Sequence, residues 1–160
     1  IEALEEAGKI FGKGSVTTHL IVGLGESEED LIRIIQWCVD NGIYPSLFAF
    51  TPIPGTLMED CPRPPISVYR RAQTAQYLIT HSMAKYDNMK FREGRLVSFG
   101  VPREDLKKIV ETGEPFRTSG CPGCNRPYYN ERPGGLIYNY PKKPRLEEVE
   151  EIKRQIDMII

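Results

Sequence analysis

Residues 15–58 read S-V-T-T-H-L-I-V-G-L-G-E-S-E-E-D-L-I-R-I-I-Q-W-C-V-D-N-G-I-Y-P-S-L-F-A-F-T-P-I-P-G-T-L-M, and the order of local signals in this stretch decides the fold class. Val16–Val22 is apolar and partly β-branched, the composition of a buried strand. Gly23 and Gly25 then end it, since glycine lets the backbone turn sharply or lie close to a ligand. Ser27 with Asp30 three residues on predicts a capping box, and Glu28 and Glu29 suit the positive end of a helix. Leu31, Ile34, Ile35 and Cys38 share one apolar face, and Gly42 stops the helix. A second strand is expected over residues 46–51, closing on a loop at 52–56. A strand, a helix and a strand with short connections predict two parallel neighbours. The glycine turn then falls at the carboxyl end of its strand, where parallel sheets bind their ligands. The fold class is α/β.

Composition excludes several functions. The chain has 160 residues, 40% hydrophobic and 27% charged, with a net charge of −1. Near-neutral charge gives no bulk attraction to nucleic acid. No apolar run approaches the roughly 20 residues that span a bilayer, and no signal-peptide pattern opens the chain. The chain opens on Ile1 inside a helical pattern, 2–10, with Leu4 and Ala7 inward; we expect the carboxy-terminal piece of a longer protein. Cys38, Cys61, Cys121 and Cys124 are too few and too unevenly placed for a secreted disulfide framework, which fits a reducing cytoplasm.

Downstream, a Pro-rich loop at 60–65 precedes a long helix expected over 67–86, burying Val68, Ala72, Ala75, Ile79 and Met83. Residues 88–99 carry a third strand signal interrupted by Gly94. Pro102 begins a short helix that Gly113 ends. Residues 114–144 form a long irregular segment, a length that is usually functional or disordered. Residues 146–160 close the chain as an amphipathic helix with Leu146, Val149, Ile152, Ile156 and Ile159 on one stripe. Two units are expected, 1–100 and 101–160.

Alternation assigns the strand faces. On the first strand Thr17, His19, Ile21 and Gly23 share a face, and Leu20 and Val22 pack under helices. On the second, Leu47, Ala49 and Thr51 are expected with the first set, leaving Phe48 and Phe50 under helices. The inner set is small and polar, which suits a ligand-holding lumen better than a packed barrel core.

The octapeptide H-L-I-V-G-L-G-E at 19–26, followed by F-T-P-I-P-G-T at 50–56, resembles the radical S-adenosylmethionine enzymes, in the branch of biotin synthase and lipoyl synthase. The resemblance covers roughly residues 1–99. It implies the C-terminal part of a partial TIM-type (β/α)6 barrel, followed by a Cys-containing loop and a C-terminal helix. Ile21, Gly23 and Glu26 match the family's G-x-I-x-G-x-x-E pattern on the fifth strand, whose Ile contacts the adenine of S-adenosylmethionine. His19 stands where the first glycine of that pattern belongs. Thr51 would end the sixth strand, whose backbone also touches the adenine. The family's C-x-x-x-C-x-x-C loop, which holds the catalytic [4Fe–4S] cluster, is not in this sequence. Its ligands would lie in the missing N-terminal half of the barrel, and this chain alone is expected to be inactive.

The second chemical feature is S-G-C-P-G-C-N-R-P-Y-Y-N-E-R-P-G-G at 119–135. Cys121 and Cys124 bring two thiolates to one tight turn, as zinc knuckles and iron–sulfur sites require, and the remaining ligands must come from elsewhere. The archaeal two-protein lipoyl synthases are similar, and that likeness implies an auxiliary cluster at Cys121 and Cys124 as sulfur source. It also implies an acyl-carrying protein as substrate and a second radical S-adenosylmethionine subunit as partner, with no role for nucleic acid or membrane. The alternative from another class is a zinc-knuckle module that docks a protein or RNA without catalysis. Arg126, Tyr128, Tyr129, Asn130 and Arg132 line a substrate channel or merely pack the loop. Cys38 reads as core, Cys61 as a bystander and His81 as a solvated histidine. His19 is either a satisfied core residue or ligand-facing, and Gly23 and Gly25 serve either a ligand or only the turn.

Overall fold

A computed structural model describes residues 1–118 and 134–156. Helix α1 (Glu2–Phe11) leads into strand β1 (Val16–Val22), helix α2 (Glu28–Asp40) and strand β2 (Ile43–Ala49). β1 and β2 are parallel, in register from Val16 against Ile43 to Val22 against Ala49. Ser27 caps α2 by accepting the Asp30 N–H, and Gly42, at φ +72°, follows its end. The α/β reading of the first 50 residues therefore holds. Leu4 and Ala7 of α1 pack on a small cluster of Val16, Cys38 and Ile43.

Helix α3 (Ile66–Thr80) packs with α2 on one face of the sheet. Val22, Leu47 and Ala49 meet Leu31, Ile32 and Ile35 of α2 and Tyr69, Ala72, Ala75, Leu78 and Ile79 of α3. Each large apolar side chain buried there contributes about 1.5–3 kcal/mol. The other face, bearing Thr17, His19 and Ile21, is open. The phase of β1 is as expected.

The phase of β2 is not. Leu47 and Ala49 are buried under the helices, and Phe48 is the half-exposed residue, its ring 4.5 Å from that of His19. Phe48 and Phe50 at one parity are as apolar as Leu47 and Ala49 at the other, so alternation cannot choose the face. The strand also starts earlier, at Ile43, and ends before Thr51. Pro45 fits within it because the even-numbered residues of β2 bond β1, as Phe50 N–H does to Val22 at 2.8 Å. The missing N–H of Pro45 therefore faces the outer edge.

Three further expectations are corrected. Residues 88–99 form no third strand of this sheet but an antiparallel hairpin, β3 (Lys90–Arg92) and β4 (Arg95–Ser98). Glu93 and Gly94, at φ +50° and +76°, make its two-residue turn. Helix α3 stops at Thr80, not near residue 86. Ser82 at φ +56°, with Ser82 N–H on Ile79 and Met83 N–H on Leu78, forms a Schellman end without glycine. Met83 is then exposed, and Ala84 is buried instead. Ile34 and Leu146 face solvent rather than their expected apolar stripes.

Helices α4 (Arg103–Thr112) and α5 (Leu146–Ile156) complete the core through Leu106, Val110, Ile152 and Ile156. Among the described residues, no helix is long and apolar enough to cross a membrane.

Candidate functional site at the glycine turn

The rung from Phe50 to Val22 is the last in the sheet. Gly23 follows Val22 and Thr51 follows Phe50, so two of the expected site residues leave the sheet side by side at its carboxyl end. Ile21 precedes them on the open face, 46% exposed. Thr51 is half-buried and its hydroxyl donates, at 3.4 Å, to the Ala49 carbonyl.

Glu26 has a role that motif reading alone does not reveal. The N–H groups of Gly23 and Leu24 donate to its two carboxylate oxygens at 2.7 and 2.8 Å. The carboxylate closes its own turn. Gly23 sits at φ +103°, and a Cβ there would lie 3.0 Å from Cβ and Cδ of Pro64. Both conformation and contact demand glycine. Gly25, at φ +108°, has nothing within 4 Å of such a Cβ, so conformation alone demands it there.

The helix start beside the turn is rich in carboxylates, two of them paired: Glu28 with Arg71 and Asp30 with Arg33. Helix α2 begins Glu28, Glu29, Asp30. The Ser27 hydroxyl donates to Asp30 at 2.6 Å and holds that carboxyl below its ordinary value, with Arg33 helping and desolvation opposing. The Glu29 N–H bonds Gly94 of the hairpin at 3.0 Å. Phosphate-binding glycine turns offer open amides and a positive helix end. Here the amides of Gly23 and Leu24 are occupied and carboxylates surround the helix start. The occupied amides disfavour a phosphate and favour a ligand that carries none.

A groove of about 390 Å³ runs along the outer edge of β1, lined by His19, Leu20, Ile21, Leu24, Glu26, Asp30, Leu31 and Ile34. Its walls are apolar and two carboxylates stand at one end. In a strand, N–H and C=O of one residue point the same way, so those of Thr17, His19 and Ile21 face away from β2. No strand among the described residues pairs with that edge.

Cys121 and Cys124 lie outside the described residues, as do Arg126, Tyr128, Tyr129, Asn130 and Arg132. The residues that flank them are informative. Tyr140 N–H donates to Phe116 at 2.8 Å and Thr118 N–H to Tyr140 at 2.9 Å, so residues 118 and 140 sit side by side. The Tyr138 hydroxyl donates to the Pro64 carbonyl at 2.8 Å, and the Pro64 ring rests on Gly23. The return from the cysteine-bearing segment therefore meets the loop that covers the glycine turn.

Of the other cysteines, Cys38 is core, as expected. Burial pushes its thiol up to about 11; Cys61 is half-buried in its loop. His81 is exposed and stacks on Tyr77. Among the described residues, no group of three His, Cys, Asp or Glu side chains is placed to hold a metal ion.

The residues missed in the sequence are Arg70, Arg71, Tyr138 and Asn139. Arg71 forms a buried bidentate pair with Glu28, and Glu28 also accepts the Leu96 N–H at 3.1 Å. The pair ties the start of α2 to α3 and the hairpin. Arg70, fully buried, donates to the carbonyls of Ile137 and Tyr138 and to the side-chain oxygens of Gln73 and Gln155. Tyr69 O–H donates to Asn139 at 3.1 Å. Adjacent arginines usually mark a solvated helix face. The available signal is that residues 66–84 contain no Asp, Glu or Lys, which marks a helix buried all round.

Compared with protein-family models, with curated proteins and with solved structures, the chain matches none of them.

Proposed function

We propose that this chain is the C-terminal part of a radical S-adenosylmethionine enzyme that inserts sulfur at unactivated C–H bonds, most like lipoyl synthase. The observation that carries the reading is the occupied glycine turn. With Gly23 and Leu24 bonded to Glu26 and with Asp30 beside them, the turn suits an adenosyl group attached to a sulfonium cation. It does not suit a nucleotide bearing phosphates. Ile21 would lie against the adenine, the backbones of Gly23 and Thr51 would border it, and Glu26 would hold the turn rigid. The edge of β1, which no strand among the described residues pairs, and its open face support a partial (β/α)6 barrel whose other strands lie in the missing N-terminal half, with the [4Fe–4S] ligands.

When bound, S-adenosylmethionine supplies the radical that removes hydrogen, and the auxiliary cluster supplies sulfur. This chain's part is to orient the cofactor and exclude water. Cys121 and Cys124 would give two thiolates to the auxiliary cluster, and Cys38, buried and held protonated, would give none. The proximity of Tyr138 to Pro64 and Gly23 is consistent with a cluster near the cofactor. An acyl-carrying protein would present the substrate, with a second radical S-adenosylmethionine subunit assisting, in the cytoplasm.

Anaerobic reconstitution with iron and sulfide tests the cysteine role. A brown protein whose charge-transfer absorbance disappears in Cys121→Ala and Cys124→Ala supports the cluster. A colourless protein that holds zinc through the same two cysteines supports the non-catalytic zinc-knuckle module instead.

A further inference from the structure

We infer that Tyr138 is a positioning residue for the glycine turn, acting through Pro64. The Tyr138 hydroxyl donates to the Pro64 carbonyl at 2.8 Å in a buried site. Pro64 is itself buried, and its ring stands where a side chain on Gly23 would go, 3.0 Å from that position. Gly23 N–H in turn holds Glu26 at 2.7 Å. The contacts run unbroken from the far end of the chain to the amides that define the candidate site.

Tyr138 is well fixed for this task. Its ring is edge-on to Tyr69, with centroids 5.1 Å apart. Its carbonyl accepts from Arg70 Nη1 at 2.6 Å and from Gln73 Nε2 at 3.0 Å. A donor held at both ends keeps the Pro64 carbonyl in one place, and proline has few ways to yield. Loss of the hydroxyl would leave a buried carbonyl without this donor, and the loop would move to find water. The Pro64 ring would then lift from Gly23, and the turn would open toward solvent. That the turn contacts an adenosyl cofactor rests on the function proposed above; that Tyr138 holds it closed does not.

Tyr138→Phe in the full chain tests this, with Tyr69→Phe as its control. Tyr69→Phe removes a hydrogen bond from the same buried network but none to Pro64. The expected result is amide exchange at Gly23 and Leu24 accelerated about tenfold in Tyr138→Phe and unchanged in Tyr69→Phe. Pro64→Ala, which keeps the carbonyl but removes the ring, should accelerate the same two amides. S-adenosylmethionine affinity, measured by calorimetry, should fall in Tyr138→Phe and not in Tyr69→Phe. Equal exchange at Gly23 and Leu24 in the two tyrosine variants would overturn the inference. Faster exchange in Tyr138→Phe with no wild-type affinity for S-adenosylmethionine upholds the strap and refutes the cofactor reading alone.

Discussion

Replacing Gly23 by alanine should be far more damaging than making the same change two residues later. Both glycines have left-handed φ, +103° at Gly23 and +108° at Gly25, so alanine at either costs about 1–2 kcal/mol of backbone strain. At Gly25 that is the whole cost, because nothing lies within 4 Å of the new methyl. At Gly23 the methyl meets Cβ, Cδ and Cγ of Pro64 at 3.0, 3.0 and 3.2 Å. A buried proline tethered by Tyr138 cannot swing away as a flexible side chain would, and overpacking of this kind costs about 1–3 kcal/mol more. Gly23→Ala should therefore lose about 2–5 kcal/mol in urea unfolding and Gly25→Ala about 1–2 kcal/mol. Combining Gly23→Ala with Pro64→Ala should recover part of the difference, since the two sites couple directly. Equal losses in the two single variants would refute the contact and with it the view that Pro64 covers the turn.

Three other outcomes follow from the same contacts. Arg71→Met should destabilise the fold by about 3–5 kcal/mol because it strands Glu28 in the core, and Glu28→Leu/Arg71→Met should recover much of that loss in the same unfolding assay. The bond from Ser27 keeps Asp30 below its ordinary 3.8, so Asp30 contributes stability above that pH which is lost as pH falls through its lower folded value. Ser27→Ala should move its NMR titration upward and flatten that acid limb. With its thiol at about 11, Cys38 should resist alkylation at pH 8 while the partly exposed Cys61 reacts, until denaturant is added.

The strand, helix and strand were legible because several local signals agreed. Ser27, Asp30 and Gly42 bound α2, and polar Thr17 and His19 alternate with the buried positions of β1. Where a signal was missing, the reading failed for a definite reason. Phe48 and Phe50 are as apolar as Leu47 and Ala49, so only the packing of Leu47 and Ala49 against helices decides the face of β2. Ser82 ends α3 in a conformation usually left to glycine, and Glu93 does the same in the hairpin turn. Neither residue type announces positive φ.

The candidate site was half legible. Ile21, Gly23, Glu26 and Thr51 were marked by the family resemblance of residues 19–26 and 50–56 and not by spacing alone. What spacing could not reveal is that Glu26 binds the turn's own amides, since that depends on the path of three peptide planes. The buried arginines were hidden for a related reason: their partners, Glu28 and the carbonyls of Ile137 and Tyr138, are distant in sequence.

Cofactor binding at the glycine turn is tested most directly by titrating isotopically labelled protein with S-adenosylmethionine and, separately, with ATP, and following the amide chemical shifts. Saturable shifts are expected at Ile21, Gly23, Leu24 and Thr51 with S-adenosylmethionine and none with ATP at equal concentration. Shifts at Gly23 and Leu24 with ATP, and silence with S-adenosylmethionine, would contradict it.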